Sequence, residues 1–215
     1  NVANSLGVCY AQMGKFEEAV TQFSRVTGQE ANDYMAQFNL GCALLSLGRE
    51  DEAEQSFYRA VESEPNEAAP YFQLAKLCKR QNRLEEALSH LRRTVDLRPS
   101  WAKAWRMFGE CMLELGDDVE AMNGFKNALK INGEDAAALS GLAILYGRVE
   151  SNLEIALSLA RRSVELEPNN VLFGQRLAEL LWQSRELDKA LAQCQRVTAL
   201  APDDEVISQL QEKIV

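Results

Sequence analysis

Histidine is almost missing from this chain. His90 is the single one in 215 residues; no nucleophile–histidine–acid set can be argued from it, and it is expected on the surface of a second helix. Glycine-rich loops of the kind that cradle phosphates are absent as well. Cysteines number five, at Cys9, Cys42, Cys78, Cys111 and Cys194, an odd set with no close pair of the metal-binding or redox sort. The expectation is therefore no catalytic residue, no cofactor and no metal. Unpaired cysteines favour a reducing compartment, so a cytoplasmic location is expected. No apolar run is long enough to span a bilayer, and no membrane partner is expected. Alternating strand patterns are also lacking, which points to an all-α protein. Positive charge is the scarcer sign, 23 basic against 32 acidic residues for a net charge of −9, which disfavours nucleic acid as a partner.

Proline is scarce but regular. Pro65, Pro99, Pro168 and Pro202 are separated by 34, 69 and 34 residues, and Gly133 takes the same place within the long interval. A fixed period of this size signals a repeat array. On that period a large residue followed by a small one recurs at Leu6-Gly7, Leu40-Gly41, Leu74-Ala75, Phe108-Gly109, Leu142-Ala143 and Leu177-Ala178. Alanine follows twelve residues later at Ala19, Ala53, Ala87, Ala121 and Ala190. Ala156 comes one residue late, which places an insertion around Glu150, Ser151 and Asn152. Next in register stand Phe23, Phe57, Leu91, Phe125, Ala160 and Cys194, then the smaller Val26, Ala60, Thr94, Ala128, Ser163 and Val197.

Small residues at fixed places let one helix approach another, and large ones fill the gaps between ridges. Each repeat therefore reads as two antiparallel helices. Gly14, Gly48, Asn82 and Gly116 supply a turn-permissive stop after the first helix. Proline ends the second. Six repeats result, at 1–33, 34–67, 68–101, 102–135, 136–170 and 171–204, forming one array over 1–215. Residues 205–215 carry Ile207, Leu210 and Ile214 at helical spacing and read as a capping helix, with a truncated seventh repeat as the alternative. The chain starts at Asn1, in the second place of a repeat and without an initiating methionine. It reads as an excerpt from a longer polypeptide, and a targeting signal would lie in the missing part.

This pattern resembles the tetratricopeptide repeat family, a 34-residue helix–turn–helix unit. The fourth repeat carries the signature with Trp105, Phe108, Gly109, Met112, Ala121, Phe125 and Ala128, and has Gly133 where the family has proline. The resemblance implies a right-handed superhelical solenoid whose first helices line a concave groove. It implies a platform for other proteins and no activity of its own. In the family, set positions of each first helix point into that groove. Here they hold Asn4, Ser5, Val8, Met35, Phe38, Asn39, Cys42 and Leu45, then Phe72, Gln73, Lys76, Lys79 and Arg80. The fourth repeat adds Lys103, Arg106, Met107, Glu110, Leu113 and Glu114; Ile144, Arg148, Gln175, Arg176, Glu179 and Trp182 follow. The family's carboxylate clamp is not matched, since Asn39 fits but Val8, Ala69 and Gln73 do not. An asparagine ladder at the sixth position is missing too.

The candidate site is a peptide-binding groove formed by Phe38, Asn39, Phe72, Gln73, Lys76, Lys79, Arg80, Lys103 and Arg106. Lys76, Lys79 and Arg80 share a helical face and have no acidic residue three or four positions away, an arrangement that costs roughly 0.2–0.5 kcal/mol per pair. Such a cluster is a seat for a partner's carboxylates. The competing reading is a solvated face, with Arg106 paired to Glu110 and the rest neutralised from neighbouring second helices. Trp182 is either another anchor or packed on the capping helix. The expected function is a non-catalytic interaction scaffold that binds a protein or peptide segment, acidic in part. Two alternatives stand beside it: a recruiting or sensory region of a larger multidomain enzyme, and a self-assembly module. The sequence does not fix the oligomeric state.

Overall fold

The computed structural model describes residues 2–214; Asn1 and Val215, the outer ends of the first repeat and of the terminal helix as read from sequence, lie outside them. Every regular element among the described residues is helical. The chain divides into two compact units, Asn1–Ser100 and Trp101–Val215. The N-terminal unit holds α1 (Val2–Gln12), α2 (Phe16–Gln29), α3 (Tyr34–Ser46), α4 (Glu50–Ser63), α5 (Ala68–Arg80) and α6 (Leu84–Leu97). The C-terminal unit holds α7 (Ala102–Glu114), α8 (Asp118–Ile131), α9 (Ala136–Gly147), α10 (Leu153–Leu166), α11 (Val171–Gln183), α12 (Leu187–Leu200) and α13 (Glu205–Ile214). Within each unit the first and second helices of a repeat pack together, and each second helix then packs on the first helix of the next repeat. Each unit is thus a run of antiparallel helix pairs, the fold class the periodicity predicts.

The turns explain the regular stops. Gly14, Gly48, Asn82 and Gly116 all have φ between 59° and 81°. In each, the next residue's N–H reaches back five residues, as from Lys15 to Tyr10 at 2.9 Å and from Arg83 to Cys78 at 2.8 Å, closing the left-handed helix cap. The sixth repeat makes the same turn with Arg185 at φ 63°. The fifth does not. Its insertion at Glu150–Asn152 forms a 3-10 turn leading into α10.

Helix starts differ in kind. Among the first helices, α3, α9 and α11 are capped by side chains, as is α13: Asp33 accepts from the Ala36 N–H, Asp135 from Ala138, Asn170 from Phe173 and Asp204 from Ile207, at 2.9–3.3 Å. By contrast, α5 and α7 have no side-chain cap. Most second helices lack such a cap and instead put carboxylates in the first turn, as with Glu17 and Glu18, Glu50 to Glu52, and Glu85 and Glu86. Negative charge there complements the helix dipole, and it accounts for part of the acidic excess.

Packing matches residue sizes across each pair. Ala19, Ala53, Ala87, Ala121, Ala156 and Ala190 are all 0% exposed. Gly7 faces Phe23, Gly41 faces Phe57 and Gly109 faces Phe125, so closely that an added Cβ would lie 2.6–2.9 Å from the ring. Where the second-helix residue is the smaller Leu91, Ala160 or Cys194, the register has Ala75, Ala143 and Ala178 in place of glycine. In the third repeat the Ala75 and Leu91 pair keeps about the volume of a glycine–phenylalanine pair, with the bulk shared differently across the contact. In the C-terminal unit, α13 buries Ile207 and Leu210 against Ala178, Cys194 and Val197, with Ile214 alongside. That is the apolar stripe expected to cover the sixth repeat.

Candidate peptide-binding faces

The N-terminal unit brings several expected groove residues together. Asn39 on α3 donates its side-chain N–H to the Asn4 amide oxygen of α1 at 3.4 Å, and Lys76 donates to Gln73 within α5, also at 3.4 Å. Beside Asn39 lies a cavity of about 300 Å³, bounded by Val8, Phe16, Phe23, Cys42 and Ser46. Burial pushes the Cys42 thiol up to about 11, and the Lys76 ammonium only partly opposes that shift. Cys42 is therefore a neutral, apolar wall at pH 7. Lys76 is close enough to act on it and is itself exposed.

Other members of the predicted set stand elsewhere. Phe38 is half-buried, stacked on Tyr34 at 6.1 Å and tilted against Phe57 at 5.9 Å. Phe72 is buried, so its ring belongs to the packing of α5 and not to the groove surface. Arg80 forms an ion pair at 3.1 Å with Glu50, a residue of the neighbouring second helix. Lys79 is half-buried.

In the C-terminal unit, Lys103 is exposed. Arg106 meets Glu110 at 3.3 Å, the pairing anticipated from their spacing, and also Asp135 at 3.3 Å. Arg176 donates to the Ser140 hydroxyl at 2.7 Å. Burial lowers its pKa while Glu179 and Glu110 act in the opposite direction. Glu110 thus influences Arg106 and Arg176 alike, and a polar track runs over the first helices α7, α9 and α11. Charges on this track already satisfy one another.

His90 lies on the second helix α6, as expected, and is half-buried beside Tyr58, whose hydroxyl is 3.4 Å from Nε2, and Tyr71, whose ring centroid is 6.3 Å away. Arg93 lies over the Tyr71 ring at 5.9 Å. Burial lowers the His90 pKa; Glu86 and Glu54 oppose the shift, and Arg83 adds to it. Among the cysteines, Cys78, Cys111 and Cys194 are buried, Cys42 is half-buried and Cys9 is exposed. No group of histidine, cysteine or carboxylate side chains suited to a metal occurs among the described residues.

Two models of the tetratricopeptide repeat match the sequence, one over residues 6–71 and the other over residues 44–108 and 150–214. The second alone spans more than half of the chain. This chain belongs to the tetratricopeptide repeat family. Solved structures of similar fold include pilF of Pseudomonas aeruginosa, with TM-score 0.85 and 18% identity over 99% of this chain and 96% of that one. YrrB, a tetratricopeptide repeat protein with an unusual peptide-binding site, has TM-score 0.73 and 17% identity over 88% of this chain and 97% of its own. The Cut9–Hcn1 complex of the APC/C matches at TM-score 0.78 and 18% identity over 99% of this chain, which spans only 42% of that chain. At these identities the likeness shows the fold alone. No curated protein matches the chain. Among the described residues, no helix is long and apolar enough to cross a membrane.

As a tetratricopeptide repeat protein, the chain departs from its own pattern at Arg185, which sequence reasoning passed over. The signal was present, because glycine or asparagine occupies that turn at Gly14, Gly48, Asn82 and Gly116.

Proposed function

We propose that this chain is a non-catalytic scaffold that grips a segment of another protein on the first-helix face of its N-terminal unit. The observation that carries the reading is the cavity beside Asn39, walled by Val8, Phe16 and the neutral thiol of Cys42, with the Lys76 charge close by. An apolar side chain of the segment enters the cavity. The Asn39 amide, which can donate and accept, meets its backbone. Lys76 meets a carboxylate.

Magnitudes rank these contacts. Fully burying one Val- or Leu-sized side chain stabilises by about 1.5–3 kcal/mol, whereas an exposed ion pair contributes about 0–1 kcal/mol. The apolar contact sets the affinity, and Lys76 tunes preference for acidic neighbours. Arg80 contributes less than its position in the sequence suggests, since Glu50 already holds it. Peptide binding is also the role named for YrrB, a protein of similar fold.

The test is capture of the partner from native lysate, identification of its segment by mass spectrometry, and calorimetry with that segment. Val8→Phe, which blocks the cavity, should weaken binding at least tenfold, and Lys76→Glu only a few-fold, with circular dichroism unchanged. Full affinity in Val8→Phe would remove the reading.

A further inference from the structure

The C-terminal unit has a cationic pocket of its own. A cavity of about 440 Å³ opens where the ends of α9 and α11 meet the starts of α10 and α12 and the end of α13. Trp182, Leu153 and Leu187 give it an apolar side, and Arg148, Arg185 and Lys213 give it three cations against the single carboxylate of Glu150. Arg148 is paired with Asp118. Arg185 and Lys213 are exposed and make no ion pair among the described residues. Trp182 is 37% exposed, a large amphipathic ring on the pocket wall.

A second observation concerns the backbone. Arg185 sits at φ 63° in a turn where the equivalent residues are Gly14, Gly48, Asn82 and Gly116. A long L side chain is disfavoured in the left-handed region, and glycine would form the same turn without that strain. Strain of this kind gathers at sites where a side chain must be presented. What this turn presents is an arginine that lines the same pocket as Trp182.

The pocket also has an extension. A smaller cavity of about 180 Å³ shares Gly147, Arg148 and Gln183 with it and reaches Arg176 and Glu179 on the first-helix face. Such a shape suits an extended chain better than a compact anion. The apolar wall would be idle against free phosphate. Two unpaired cations are far fewer than a nucleic-acid backbone requires, in a chain of net charge −9.

We propose that this edge of the C-terminal unit is a second recognition site, which takes an acidic protein segment whose aromatic or leucine side chain packs on Trp182 while its carboxylates meet Arg185 and Lys213. It is independent of the cavity beside Asn39.

The probe is a displayed library of random peptides, selected on the full chain and counter-selected on the Arg185→Gly/Lys213→Glu variant. Peptides lost from the variant should carry at least two acidic residues around an aromatic or leucine. Their affinity by fluorescence polarisation should fall at least tenfold in the variant and stay unchanged in Val8→Phe. Arg185→Gly alone should weaken them several-fold while its melting temperature holds or rises, an outcome that loss of structure would not produce. No variant-dependent peptide, or dependence without acidic residues, overturns the proposal. Displacement by inorganic phosphate at micromolar concentration would make the pocket a phosphate site and overturn it too. Equal loss in Val8→Phe would merge it with the first face and overturn its independence.

Discussion

Gly41→Ala tests the size-matching of helix pairs most sharply, because two effects of opposite sign meet at one atom. In an open helix interior the change stabilises by about 1 kcal/mol, since alanine loses less backbone entropy on folding. At this site the new Cβ would lie 2.6, 2.8 and 2.9 Å from Cε1, Cδ1 and Cζ of Phe57, separations that real Cβ atoms essentially never show. Phe57 is 0% exposed and abuts Phe38, so its ring has nowhere to retreat. Overpacking of this kind costs about 1–3 kcal/mol and should outweigh the propensity gain. Phe57→Leu removes the obstruction and recreates the Ala75 and Leu91 combination of the third repeat. In that background Gly41→Ala should turn stabilising. The coupling between the two changes should therefore fall in the range of about 0.5–3 kcal/mol expected for residues in contact. Gly28→Ala is the control, with nothing within 4 Å of its added Cβ, and should stabilise by roughly 0.5–1 kcal/mol. Urea unfolding followed by circular dichroism reads the unmodified chain and all four variants. A global fit is needed, since repeat arrays need not unfold in two states. The same sign and size of effect in both backgrounds would refute the packing argument.

Two further predictions concern titratable groups. Burial lowers the folded-state pKa of His90 below its ordinary 6.5, so the unfolded chain binds the proton first. The stability tied to neutral His90 should be fully present above about pH 6.5 and fade as pH falls toward the folded pKa. His90→Gln should flatten that part of the melting-temperature profile, and an identical slope in the variant would contradict the assignment. Cys9 is exposed, whereas Cys42 has its thiol pushed up to about 11, so only on the order of one part in ten thousand is thiolate at pH 7. Iodoacetamide followed by peptide mass spectrometry should label Cys9 well before Cys42; equal rates would place Cys42 in a different environment.

Residues that answer to size alone were legible in the sequence. Ala19 and its equivalents recur because close helix approach admits nothing larger, and the one-residue delay of Ala156 located the 3-10 turn at Glu150–Asn152. Contacts that depend on two distant side chains were not legible. Glu50 and Arg80 are thirty residues apart, on a second helix and the next first helix, and helical spacing says nothing about such a pair. Phe72 shows the same limit from the apolar side. A groove position in the family pattern did not reveal that α5 buries the ring. Nor did sequence spacing reveal that Tyr58 and Tyr71 flank His90.

In a repeat array the informative residue is the one that breaks the period at a measurable cost. Arg185 forms the same cap as its glycine equivalents, with the Glu186 N–H reaching the Leu181 carbonyl at 3.0 Å. The turn therefore forms despite a left-handed penalty of about 1–2 kcal/mol for an L residue. One cap hydrogen bond contributes only about 0.5–1.5 kcal/mol net, so local bonding roughly offsets the strain and leaves little surplus. Stability gives no reason for arginine over glycine at this place. Charge presentation in the proposed pocket does, and removing it with Arg185→Gly should separate the two roles, because the fold should gain from the change while the pocket loses.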